Sequence, residues 1–201
     1  PFSLERIQAR GLREGRNSFT LGGDDAARYA GGLLLHFLET AGVRHRGEVK
    51  AGRVGPENTL LYTHWSKFTL GEAVAKMMEF SNNFVANQIF LALGAHVLGP
   101  PATLEKGVAV VMKSVRDDLG LRDVMVVEGS GISPKNRFSA LDMLSVLERF
   151  TPYRDLLKSQ GSLRFKTGTL SGISARAGFI EAAEGGSDPY RFVIFLRRGG
   201  G

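Results

Sequence analysis

The 201-residue chain contains no cysteine, which excludes disulfides and every zinc site built on thiolate ligands. Tryptophan occurs once and proline seven times, and the 26 glycines follow no triplet period. Collagen-like and low-complexity architectures are therefore excluded. No apolar run approaches the roughly 20 residues that a helix needs to cross a bilayer. An initiator methionine is also missing. Residue 1 is Pro1, and no basic leader followed by an apolar stretch opens the chain, so the sequence is expected to be processed or cut from something longer.

What is present is 43% hydrophobic and 23% charged, a composition that buries a core in one sizeable or two small domains and does not favour disorder. The net charge is +6, and 18 of the 26 cations are arginines scattered along the chain, beginning with Arg6, Arg10, Arg13 and Arg16. Nucleic-acid binding needs a clustered basic face, so no nucleic-acid partner is expected. A solvated basic surface, or an acidic polymer such as cell wall, suits the balance.

Residues 1–23 are Gly/Arg-rich and irregular, as the tail of a preceding module would be. A helix is expected over 24–41, capped by Asp24 and Asp25 and stopped by Gly42. Val49, Val54 and Leu60 to Tyr62 suggest short extended pieces around a turn at Gly55 and Pro56. Thr69 and Glu72 form a capping box for a second helix that continues to Gly94, interrupted at Ser81, Asn82 and Asn83. Three small polar residues in a row compete for backbone hydrogen bonds, so the site is either a turn between two helices or an exposed functional face. Further helices are expected from about Pro101 to Leu119 and from Ser139 to about Phe150, with a short strand at Val124 to Val127 between them. Beyond residue 160 the pattern turns to strands. Leu163 to Thr169, Ile173 to Ala182 and Tyr190 to Arg197 form an antiparallel meander, with a loop from Glu184 to Pro189.

Gly129, Ser130 and Gly131 follow an apolar stretch, but Pro134 stands where a dinucleotide fingerprint needs its third glycine, so no nucleotide cofactor is expected. His36, His45, His64 and His96 show no metal-ligand spacing, and no metal site is expected. No Gly-x-Ser-x-Gly elbow occurs. Two features remain. Lys166, Thr167 and Gly168 lie within an expected strand, where a cation and a hydroxyl flank a residue without a side chain. A lysine there is ordinarily an outward, solvated residue; alternatively, a substrate backbone could lie along the strand while its carboxylate meets Lys166 and Thr167. The second feature is Ser81-x-Asn83 at the helix interruption.

Three segments carry a family resemblance: Glu79-Phe80-Ser81-Asn82-Asn83-Phe84-Val85-Ala86-Asn87-Gln88, Glu128-Gly129-Ser130-Gly131-Ile132-Ser133-Pro134-Lys135-Asn136-Arg137-Phe138-Ser139-Ala140, and Lys166-Thr167-Gly168-Thr169-Leu170. In this order they resemble the D-alanyl-D-alanine carboxypeptidases of the class C low-molecular-mass penicillin-binding proteins, over about residues 20–198. The resemblance implies a layered α/β fold of the DD-peptidase and serine β-lactamase type. A mainly helical part, residues 24–160, would stand beside antiparallel strands, residues 162–198, with the N-terminal part of the fold missing. It also implies cleavage of D-Ala-D-Ala in peptidoglycan stem peptides through an acyl-enzyme, with endopeptidase action in some relatives.

The roles implied are specific. Ser81 relays a proton toward the leaving amine, Asn83 holds the substrate amide and the catalytic lysine, and Lys166 with Thr167 binds the terminal carboxylate. Gly168 leaves room for substrate, and Thr169 supplies one oxyanion N–H. Gly129 to Ala140 is expected to be a structural turn framing the site. The expected partners are peptidoglycan, β-lactams in the complete protein and the N-terminal part of the same protein, in a periplasmic or other extracytoplasmic setting, with no cofactor.

One departure from the family pattern matters. The family's nucleophile belongs to a Ser-x-x-Lys motif, and three residues before this chain's eight lysines stand Gly47, His64, Ala73, Thr103, Val110, Ile132, Asp155 and Leu163. Truncation of a longer enzyme and loss of catalysis in a wall-binding homologue are the two explanations. A β-lactamase-like hydrolase is the third class, and the class C signatures weigh against it.

Overall fold

A computed structural model describes residues 25–182 and 188–197. The expected tail, residues 1–23, and most of the Glu184–Pro189 loop lie outside the described residues. The chain divides into two compact units, residues 1–64 and 65–201.

The described part of the first unit is built on α1 (Asp25–Thr40). Gly42 stops it in the left-handed conformation at φ 78°, and the Gly42 and Val43 N–H groups close on the carbonyls of Glu39 and Leu38, each at 2.9 Å, as a Schellman-type ending requires. The expected turn is present, with the Asn58 N–H donating to the Gly55 carbonyl at 3.1 Å. The extended pieces around it pair with nothing and form no strand among the described residues. Val49 explains part of this difference, because it packs on α1: a Cβ added at Gly31 would lie 2.5 Å from its Cγ1.

The second unit holds α2 (Leu70–Phe80), α3 (Asn83–Leu98), α4 (Leu104–Asp117) and α5 (Ala140–Phe150). A 3-10 turn (Thr151–Leu156) follows, then a four-stranded sheet of β1 (Ser159–Gln160), β2 (Leu163–Leu170), β3 (Ile173–Ile180) and β4 (Tyr190–Arg197). The strands lie in sequence order and pair antiparallel throughout. The expected capping box of Thr69 with Glu72 is formed on α2, and Ser139 with Asp142 forms another on α5. One face of the sheet carries the core. Phe179 of β3 is fully buried against Leu147 of α5 and Leu157, and Met78 of α2, Phe150 of α5 and Val193 of β4 pack around them. Ion pairs join the base of the sheet to the 3-10 turn. Glu181 accepts from Arg154 Nε at 3.2 Å and from Arg164 Nε at 2.9 Å.

Helix α3 passes the expected stop at Gly94 because that glycine serves packing rather than termination. A Cβ there would lie 2.5 Å from the Gly107 nitrogen on α4. Gly107 in turn lies against the ring of Phe90, to which its own added Cβ would approach within 2.5 Å. The two glycines let α3 and α4 meet at backbone distance. Gly94→Ala must push backbone aside, and overpacking of this kind costs about 1–3 kcal/mol; a fall in the urea midpoint with an unchanged slope is the expected result. The expected strand at Val124 to Val127 is reduced to a single bridge between Met125 and Arg137. The reason lies nine residues on: the Val127 N–H is taken by Asn136 Oδ1 at 2.8 Å, so no ladder can continue.

Candidate active site

The break between α2 and α3 is a two-residue corner. Ser81 adopts the left-handed conformation, φ 49° and ψ 51°, as the C-cap of α2. Its N–H and that of Asn82 both turn back to the Met77 carbonyl. Asn82 then caps α3, its Oδ1 accepting from the Val85 N–H at 3.2 Å. Ser81 is the only non-glycine residue at positive φ among the described residues. Holding a side-chain-bearing residue there costs about 1–3 kcal/mol, a strain that clusters at functional sites.

The strained corner aims the Ser81 hydroxyl at β2. Lys166 Nζ donates a short hydrogen bond to Ser81 Oγ, across 85 residues of sequence, and a second to the Thr167 carbonyl at 2.7 Å. One N–H of the ammonium therefore remains for a further acceptor. Burial lowers the Lys166 pKa from its ordinary value, and the side chain is half-buried. Lys166 is thus partly covered and held by two hydrogen bonds.

The other candidate residues are placed as follows. Asn83 is the first residue of α3 and exposed. Thr167, Gly168 and Thr169 follow Lys166 along β2, exposed, opposite Arg176, Ala175 and Ser174 of β3. Strand β1 pairs only with Leu163 and Arg164, so past Phe165 the far edge of β2 carries no strand among the described residues. A Cβ added at Gly168 would meet only Ala175 Cβ, at an ordinary 3.5 Å. Packing among the described residues does not demand a glycine there. No three His, Asp or Glu side chains gather into a metal-binding group among the described residues.

The loop from Glu128 lies against α3 beyond this corner. The Gly129 N–H donates to Asn87 Oδ1 at 2.8 Å, and a Cβ on Gly129 would lie 2.6 Å from Phe90 Cβ and 2.9 Å from the Ala86 carbonyl. The Glu128 carboxylate accepts from the Ser130 N–H at 2.8 Å, the Ser133 N–H at 3.2 Å, the Ser130 hydroxyl and the Asn136 amide. Burial raises its pKa, but these hydrogen bonds outweigh burial and hold it at about 2. Sequence reasoning gave Glu128 no role of its own. The available signal was an acidic residue at the head of a run of Ser and Asn donors.

The model of the D-Ala-D-Ala carboxypeptidase 3 (S13) family matches residues 2–158. The chain belongs to this family. Within it, the chain is 29% identical to the D-alanyl-D-alanine carboxypeptidase DacB of Haemophilus influenzae, over 89% of its own length and 42% of that protein. It is 27% identical to the D-alanyl-D-alanine carboxypeptidase of an Actinomadura species, over 81% and 36%. The crystal structure of penicillin binding protein 4 from Haemophilus influenzae, complexed with a β-lactam, superposes with a TM-score of 0.68 at 27% identity. It covers 84% of this chain and 44% of that one. The chain thus spans less than half the length of these S13 relatives. The fold is the expected layered α/β arrangement of the DD-peptidase type. No helix among the described residues is long and apolar enough to cross a membrane.

Proposed function

We propose that the chain supplies the Ser-x-Asn and Lys-Thr-Gly elements of a serine-type D-Ala-D-Ala carboxypeptidase that cleaves peptidoglycan stem peptides through an acyl-enzyme, with endopeptidase action on cross-links as the same chemistry on a longer leaving group. The observation that carries the reading is the hydrogen bond from Lys166 to Ser81, which unites the two motifs at one point on the strained helix corner. Residues 24–160 and 162–198 are two parts of one incomplete penicillin-binding domain. The nucleophilic serine and its lysine belong to a Ser-x-x-Lys motif outside this sequence, and the chain's partial coverage of its relatives supports that assignment.

In this scheme a substrate strand lies along the open edge of β2. The remaining N–H of Lys166 and the Thr167 hydroxyl take the terminal carboxylate, and the bare Gly168 lets the substrate backbone approach. The Thr169 N–H provides one donor to the oxyanion that forms when the external serine attacks. Asn83, at the N-terminus of α3, holds the substrate amide and the catalytic lysine. Ser81 delivers a proton to the leaving D-alanine nitrogen, and Lys166, as its hydrogen-bond donor, orients the hydroxyl and can resupply the proton. Acylation thereby separates bond cleavage from hydrolysis, which makes a weak hydroxyl nucleophile effective. Peptidoglycan lies outside the cytoplasmic membrane, so the setting is periplasmic or extracytoplasmic. β-Lactams would acylate the complete protein at the same serine. The scheme uses no cofactor.

Lys166→Ala in the complete protein tests the reading. A hydrogen bond to a charged group contributes about 1.5–3 kcal/mol, so acylation by labelled penicillin should slow at least tenfold. An unchanged rate in a folded variant would return Lys166 to the role of a surface residue. The absence of Ser-x-x-Lys from this sequence favours a second reading, a wall-binding homologue without catalysis. No acylation of the complete wild-type protein, together with its co-sedimentation with peptidoglycan, would establish it.

A further inference from the structure

The proposed chemistry makes no use of Glu128, although it gathers four hydrogen bonds and lies in the loop that seats on α3. Two successive peptide groups link these facts. The Ser130 N–H points into the Glu128 carboxylate, and the preceding Gly129 N–H points to Asn87. With Ser133 and Asn136 also bound to the carboxylate, and the Asn136 amide oxygen returned to the Val127 N–H, residues 127–136 form one cross-braced block. Its contact with α3 admits no side chain at Gly129. Asn87 lies four residues after Asn83, so the block grips the helix face that carries Asn83, one turn from the Ser81 corner.

We propose that Glu128 is a positioning residue: by setting the direction of the Gly129–Ser130 peptides it clamps the start of α3, and so holds Ser81 and Asn83 in register with Lys166. This rests on the reading of Ser81, Asn83 and Lys166 given above. Glu128 touches none of the three, so it acts through the loop and the helix. The carboxylate suits the task because all its partners donate. An amide in its place would turn an NH2 group toward those donors.

The test uses the complete protein and no substrate, so its failure would leave the carboxypeptidase reading standing. The Lys166 pKa is followed by NMR of the side-chain methylene in Glu128→Gln, together with amide exchange at Asn82, Val85 and Ala86. Removing a negative charge by itself destabilises a distant ammonium and moves the Lys166 pKa down. Loss of positioning separates Ser81 from Lys166, rehydrates the ammonium and moves the pKa up, so the two causes have opposite signs. The expected result is an upward shift, with exchange at the corner at least tenfold faster and the β3 amides unchanged. An unchanged or lowered Lys166 pKa with unchanged corner exchange would overturn the proposal. Asn87→Ala removes the clamp and spares the carboxylate's own hydrogen bonds. It should reproduce the upward shift, with faster exchange at Gly129 and unaltered exchange at Val127, Ser130 and Ser133. If Glu128→Gln does not fold, the result for Asn87→Ala decides, and an undisturbed corner there overturns the proposal.

Discussion

Labelled penicillin is expected to leave the purified 201-residue chain without a covalent adduct, even though the chain folds the Lys166–Ser81 pair. Acyl transfer needs an attacking hydroxyl, a base within hydrogen-bond reach and two donors at the developing oxyanion. The sequence contains no Ser-x-x-Lys to supply the first two, and in the proposed scheme the second oxyanion donor is the N–H of that same serine. Such groups act as a unit, and removing one member costs on the order of 10^6 in turnover, about as much as removing several. Ser81 is a serine whose hydroxyl a lysine hydrogen-bonds, so it is the residue to watch. Its hydroxyl accepts a proton-bearing donor from Lys166, an arrangement suited to passing a proton outward rather than losing one to a base. Intact-mass measurement after long incubation reads the outcome directly. A stoichiometric adduct mapped to Ser81 would make the pair a nucleophilic dyad and reverse its assigned role.

The elements that the sequence revealed are those whose signals are local. Thr69 with Glu72 and Ser139 with Asp142 announce helix starts within four residues, and the alternation after residue 160 announces strands. The readings that needed correction depend on contacts distant in sequence. Gly94 has the composition of a helix stop, yet its missing side chain serves the approach of Gly107. Val124 to Val127 has strand composition, yet Asn136 intercepts its backbone donor. The two-residue β1 carries too short a pattern to register at all. For the site, spacing alone left Lys166 a solvated strand residue, and only the family resemblance joined it to Ser81. The left-handed corner that makes the contact depends on Ser81 tolerating a positive φ, which three small polar residues suggest without fixing. Glu128 escaped notice because a carboxylate's value depends on how many donors the fold turns toward it.

The second large effect concerns β4. In the sheet order β4 is terminal and pairs only with β3 among the described residues, although Phe192, Val193, Ile194, Phe195 and Leu196 form an unbroken apolar run. Successive side chains point to opposite faces, so the run suits a strand covered on both. Val193 does reach the core beside Phe179, whereas Leu196 remains 61% and Ile194 47% exposed. No lysine or proline within β4 blunts the edge, and such an edge pairs with any strand offered to it. The family resemblance implies that the C-terminal strand has a neighbour from the N-terminal part of the domain. The isolated chain is therefore expected to associate through residues 190–198, or to require the N-terminal part of the protein to stay soluble. Amide hydrogen exchange decides the matter at a dilution where sedimentation shows a monomer. Alternate β4 amides, those pointing away from β3, should exchange at rates close to those of open chain, and adding the N-terminal part should protect them. Strong protection of every β4 amide in the monomer would mean that the strand already has a second partner within the 201 residues. The assignment of that place to a missing strand would then be wrong.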